Sequence, residues 1–222
     1  MIRLRRLLES VLSERVSDVV YHATSAPNFL SIFINDTFKL TPLKGIDSID
    51  TEWARSRGIL DHYYMSVARS VTSDFIRGGV GENRTERMVF RLDGRKLAAR
   101  FRGFAHNYGD WVGDEMEDRI ISKKPEIRGF SNYVTGVYFS ASTISYEFEH
   151  GNGGLMITVL SNIERKGIDI YNCAVVKFME MVRDNPESTT IKDLEKSGGY
   201  PSFNNKCKVD TGEFIEVLKR FL

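Results

Sequence analysis

The sequence is poor in the residue patterns that announce most cofactor and membrane chemistry. Its 222 residues hold two cysteines, Cys173 and Cys207, far apart and without CxxC spacing, so neither a disulfide framework nor a thiolate zinc site is expected. A reducing, cytoplasmic setting follows as the expectation. The four histidines, His22, His62, His106 and His150, show no ligand spacing such as HExxH, so no metal is expected. No apolar run approaches the roughly 18 residues of a membrane span, and no membrane partner is expected. Charge of one sign is missing too. With 31 Lys and Arg against 30 Asp and Glu, the molecule's overall field steers little toward nucleic acid, and a polyanion would have to be met by a local patch.

What is present reads as one domain over residues 1–222, with an opening helix over 1–17, a core over 18–145 and a helix-rich part over 146–222. Hydrophobic residues make up 41% and aromatics 11%, enough for a sizeable core. In the opening MIRLRRLLESVLSERV, apolar residues recur at helical spacing beside Arg3, Arg5 and Arg6. Glu9 and Glu14 do not suit a transit peptide, so a docked surface helix is expected. There is no internal repeat or low-complexity tract.

Val19 to Thr24 reads as a strand that tips into a helix through Ser25 and Pro27 and runs to about Asn35. Asp61 to Ser66 (DHYYMS) reads as a second strand entering a helix, VARSVTSDFI. The segment GGVGENRTER is a turn, because its glycines follow a helix where a dinucleotide fingerprint needs a strand. MVFRLDG alternates like a strand, and Phe101 to Glu115 reads as a long aromatic and glycine-bearing loop. Strands over Glu115–Ser122 and Tyr133–Ser140 follow, then LMITVLSNIERKG as helix, GIDIYN as strand, and two further helices, AVVKFMEMVRD and TGEFIEVLKRFL.

The candidate chemical residues lie where strands end or begin. In an extended strand alternate side chains share a face, which groups Val20, His22 and Thr24, groups Tyr64 with Ser66, and groups Glu115 with Glu117. Two carboxylates on one strand face repel each other unless a cation, a proton or a substrate hydroxyl offsets them. Singly, each has an ordinary reading: His22 as a satisfied structural residue, Ser66 as a helix cap, and the glutamates as an edge face paired with Arg119 or Lys123.

Taken in order, Tyr21-His22-Ala23-Thr24-Ser25 before a helix, Tyr63-Tyr64-Met65-Ser66 before a helix, and Glu115-Met116-Glu117 opening a later strand resemble the ADP-ribosyltransferases. These are NAD-cleaving enzymes of toxin, polymerase and phage-effector type. The resemblance spans about Val19 to Ser140. It implies an α+β fold with a small, mostly antiparallel split sheet flanked by helices and a helical C-terminal extension. It implies NAD as cofactor and transfer of ADP-ribose to a macromolecule, a protein before a nucleic acid. It further implies that His22 holds a ribose hydroxyl, that the backbone at Ala23 and Thr24 meets the nicotinamide amide, and that Tyr63 or Tyr64 stacks on the ring. Ser66 would brace the catalytic carboxylate and Arg69 would reach the pyrophosphate. Ala23 departs from the usual glycine, and the chain mixes the histidine of one branch with the Glu-x-Glu of the other. Glu117 is the first choice for the carboxylate that stabilises positive charge developing on the ribose, and Glu115 for orienting the nucleophile. RNA 2′-phosphotransfer on the same fold ranks lower, because no basic residue lies between Val19 and Ser31. A non-catalytic interaction protein of this fold is the reading from another class.

Overall fold

The computed structural model describes residues 16–45, 48–71, 87–106, 117–197 and 207–222. In chain order these form β1 (Val19–Ser25), α1 (Ala26–Asn35), β2 (Thr37–Lys39), β3 (Thr41–Pro42), α2 (Ser48–Ser56), β4 (Tyr63–Ala68), β5 (Arg87–Asp93), α3 (Gly94–Ala98), β6 (Arg102–His106), β7 (Glu117–Ser122) and β8 (Glu126–Arg128). After a 3-10 turn at Phe130–Tyr133 come β9 (Val134–Phe139), α4 (Ala141–Glu149), α5 (Gly153–Arg165), β10 (Asp169–Tyr171), α6 (Cys173–Asp184), α7 (Ile191–Lys196), β11 (Lys208–Val209) and α8 (Thr211–Lys219). The architecture is α+β with a mixed, mostly antiparallel sheet. The described residues separate into two compact units.

The first unit is built from Met1–His22, Thr37–Gly79 and Leu92–Tyr133. Its strands run in the order β1-β4-β7-β6, with β3 also on β4 and a separate β2–β8 ribbon. All of these pairings are antiparallel. Leu43, Ala54, Ile59, Phe104 and Ile121 form a buried cluster against which Trp53, Leu60 and Tyr64 pack. Gly94 is required at the head of α3, because a Cβ there would stand 1.8 Å from the main-chain oxygen of Ser17.

Two sequence expectations and one ordinary reading are corrected here. The second strand does not hand over to a helix at Val67, since Val67 and Ala68 are fully buried and extend β4 opposite Asp118 and Glu117. The aromatic loop after Phe101 begins as a strand, β6, laid along β7. Phe104 within it is a core residue, 6% exposed. The carboxylate strand β7 is not an edge, because β4 and β6 flank it. Glu115, Tyr108, Trp111, the opening helix up to residue 15, the glycines of GGVGEN and the helix expected over 72–76 lie outside the described residues.

The second unit comprises Ala23–Asp36, Val80–Arg91 and Val134–Leu222. Its strand order is β11-β10-β9-β5. β9 and β10 run parallel, which requires a crossover connection, supplied by α4 and α5. Helix α1 starts with proline in its first turn and ends at Asp36, in the left-handed region at φ 48°. It buries Phe29 and Phe33 against Phe90, with ring centroids 5.0 to 5.8 Å apart. Asn172 caps α6, accepting from the amides of Ala174 and Val175 at 2.8 and 3.1 Å. The next residue, Cys173, is disulfide-bonded to Cys207, which corrects the expectation that the two cysteines do not form a disulfide framework. Sequence spacing concealed the pair, because the β10–β11 ladder brings together chain segments 34 residues apart. The disulfide removes the ground for expecting a reducing compartment. Among the described residues no helix is long and apolar enough to cross a membrane.

Candidate functional site

Strand β7 poses the question that leads to the site. All six of its residues are buried, yet it opens with three consecutive charged ones, Glu117, Asp118 and Arg119. Buried charges persist only when paired and hydrogen-bonded, and the β4–β7 register supplies the partners. Ser66 stands opposite Arg119 and Ala68 opposite Glu117, so Tyr64, Ser66, Ala68, Glu117, Arg119 and Ile121 share one face. There the Ser66 hydroxyl donates to Glu117 Oε1 at 2.5 Å, and Arg119 Nε donates to the same oxygen at 3.3 Å. The Arg119 guanidinium lies over the rings of Trp53 and Tyr64, its Cζ 5.2 and 4.8 Å from their centroids. This is the cation–π arrangement that offsets part of the cost of burying a cation. Ser66 is thus no helix cap. It is a strand residue that aims a carboxylate.

His22 joins this arrangement through the same serine. Its Nδ1–H donates to the Ser66 carbonyl oxygen at 2.8 Å, since a carbonyl can only accept. The ring sits edge-on to Phe38, centroids 4.8 Å apart, and Phe38 packs on Phe130 at 4.8 Å. Desolvation lowers the imidazole pKa from 6.5 to about 4, the hydrogen bond to Ser66 opposing it more weakly. His22 is therefore neutral at pH 7, with Nδ1 protonated and the Nε2 lone pair an acceptor. The ladder sets Tyr21 opposite Ala68, which in turn faces Glu117. Tyr21, and not His22, is the β1 side chain abreast of the carboxylate.

On the opposite face, fully buried Asp118 takes two bonds on Oδ1 from Arg69, 3.0 Å from Nε and 2.7 Å from the terminal nitrogen. The bond to Asp118 is also the main reason the Arg69 pKa is raised. Asp118 Oδ2 is buried without a hydrogen-bond partner among the described residues. Arg69 lies just beyond the end of β4 and not on a helix, and its guanidinium is engaged by Asp118.

The structure therefore unites Ser66 and Glu117 directly and His22 through main chain. It separates the tyrosines. Tyr64 faces Ile121 and is committed to Arg119 and the core cluster, about 13 Å along β7 from Glu117 at ~3.3 Å per residue. Tyr63 points to the other face. Ala23 and Thr24 continue β1 inside the second unit. Sequence reasoning missed Trp53, Asp118 and the position of Tyr21. The available signal was the Glu-Asp-Arg triplet entering an apolar strand. Among the described residues no group of His, Cys, Asp and Glu could hold a metal ion. Set against protein-family models, curated proteins and solved structures, the chain matches none of them.

Proposed function

We propose that this protein transfers ADP-ribose from NAD to a macromolecular acceptor, on a sheet of ADP-ribosyltransferase type. The observation that carries the reading is the 2.5 Å bond from Ser66 to Glu117, with His22 tied to the same serine. It joins two of the motifs side chain to side chain, and the third reaches the same serine through its main-chain oxygen. NAD, when bound, supplies a C1′–nitrogen bond with a neutral leaving group, nicotinamide. The residues present suit that ligand. Tyr21 offers a flat ring abreast of Glu117, the part first expected of Tyr63 or Tyr64, and the Nε2 acceptor of neutral His22, on the alternate face of β1, keeps the ribose-hydroxyl role only as the resemblance gives it.

Glu117 provides negative charge beside the sugar carbon that becomes electron-deficient, and accepts a hydrogen bond from the neighbouring 2′-hydroxyl. Ser66 and Arg119 both bind its Oε1, which fixes the carboxylate before substrate arrives, so little reorganisation is needed during reaction. Glu115, two residues upstream, keeps the role of orienting the incoming nucleophile. The test is release of nicotinamide from millimolar NAD by the purified protein, alone and with cell lysate as a source of acceptors. Release well above buffer supports the reading. No release under either condition, together with no detectable NAD binding, overturns it.

A further inference from the structure

At the end of the β4–β7 pair remote from Glu117, the first unit carries a cleft of about 770 Å³. Its wall holds Arg100, Arg102, Lys123, Lys124 and Arg128, five cations in a chain whose net charge is +1. Glu126 is the one acid among the lining residues, and it is bound to Arg128 at 2.6 Å. Lys123 and Lys124 are exposed and make no salt bridge among the described residues. The turn that presents them is fixed, because the Lys124 amide donates to Ser122 Oγ at 3.0 Å and the Leu40 amide to the Pro125 carbonyl at 2.8 Å. The floor is different in kind: Phe101, Ile121, Pro125 and Ile127 line it. His62, also in the wall, buries an Nδ1 that has no hydrogen-bond partner among the described residues.

A ligand matching this cleft must carry several negative charges on its outside and a flat, largely apolar group to seat within. Nucleotides joined by phosphodiesters have both parts. In an acidic protein segment a flat ring accompanies the carboxylates only where an aromatic residue happens to stand, whereas every nucleotide carries both, and a duplex keeps its base faces stacked away from a wall of this kind. We propose that the cleft binds single-stranded nucleic acid, with phosphates on the lysine and arginine rim and a base over the Phe101 and Pro125 floor. The basic residues absent from the first motif region are thus gathered here. Ser122 and Glu117 are five strand steps apart on β7, about 17 Å at ~3.3 Å per residue, a span that several linked nucleotides cover. That the bound strand is also the acceptor rests on the ADP-ribosyl transfer reading.

The experiment is fluorescence anisotropy with fluorescein-labelled single-stranded RNA and DNA oligonucleotides, on the full chain and on Lys123→Ala/Lys124→Ala, between about 50 and 200 mM salt. Binding of either oligonucleotide is expected, with a salt slope that falls by about 1.4 in the double variant, ~0.7 for each phosphate of a single strand that a lysine no longer neutralises. Three results would overturn the cleft: no binding at the lowest salt, equal binding by the double variant, or competition by an acidic peptide as effective as that by unlabelled oligonucleotide. Nicotinamide release from NAD without nucleic acid separates the two claims, since the lysines lie far from Glu117. Unchanged release with abolished oligonucleotide binding supports the cleft, and lysine-dependent binding with no NAD turnover leaves the cleft standing while the transfer reading falls.

Discussion

His22 should make the protein sensitive to mild acid in a way that can be worked out from its surroundings. Its pKa is held at about 4 in the folded chain, against 6.5 for an ordinary histidine, because burial penalises the imidazolium. Above pH 6.5 both folded and unfolded chains carry it neutral, and it adds no pH dependence. As pH falls, the unfolded chain takes up the proton first, so stability declines between about 6.5 and 4 and this contribution stops changing below that. A fall from 6.5 to about 4, at about 1.36 kcal/mol per pH unit, amounts to about 3 kcal/mol. The half-buried ring keeps some solvent access, so this is an upper figure. His22→Asn retains an N–H for the Ser66 carbonyl but cannot ionise in this range. Urea unfolding followed by tryptophan fluorescence from pH 7.5 to 4 should show the parent losing up to about 3 kcal/mol relative to the variant. Parallel profiles, or an NMR titration of His22 near 6.5, would refute the burial that lowers its pKa.

Three further substitutions probe the same unit. Gly94→Ala forces a Cβ onto the Ser17 main-chain oxygen, 1.8 Å away, and should cost about 3 kcal/mol in denaturant unfolding. A neutral outcome would mean that the Ser17–Gly94 approach is not kept in solution. Tyr21→Ala should raise the dissociation constant for NAD roughly fivefold, as expected for loss of a stacking surface worth ~1 kcal/mol, whereas Tyr63→Ala should leave it unchanged. The reverse result would return the stacking role to β4.

The parts of the molecule that follow a local period were readable from sequence. The strand from Val19, the helix opened by Pro27 and the C-terminal helices all appear near their expected bounds. What escaped depends on pairing between distant segments. Val67 and Ala68 look helical by spacing, but β7 claims them for the sheet. The cleft draws on residues 100–102 and 122–128, which the β6–β7 ladder brings together by setting Arg102 opposite Ile121. Cys173 and Cys207 meet through β10 and β11. Within the site, the pairing of Ser66 with Glu117 followed from the resemblance to the ADP-ribosyltransferases. The roles of Tyr64 and Arg69 did not, because their partners, Arg119 and Asp118, became visible only with the register.

Glu117 is the residue on which the functional reading stands. Glu117→Gln removes the negative charge and keeps the side chain's shape, but it also strips buried Arg119, 1% exposed, of its counter-charge. Such a loss costs about 3–5 kcal/mol, so a drop in activity alone would be ambiguous. The double variant Glu117→Gln/Arg119→Met replaces the pair by a neutral one, with a thioether against Trp53 and Tyr64, and should recover most of the stability. The deciding measurement is therefore NAD turnover per folded molecule in the parent, the single and the double variant. The expected result is at least about a hundredfold loss in both variants, with NAD affinity retained. Recovery of turnover together with stability in the double variant would show that Glu117 only balances a buried arginine, and would contradict its assignment as the catalytic carboxylate.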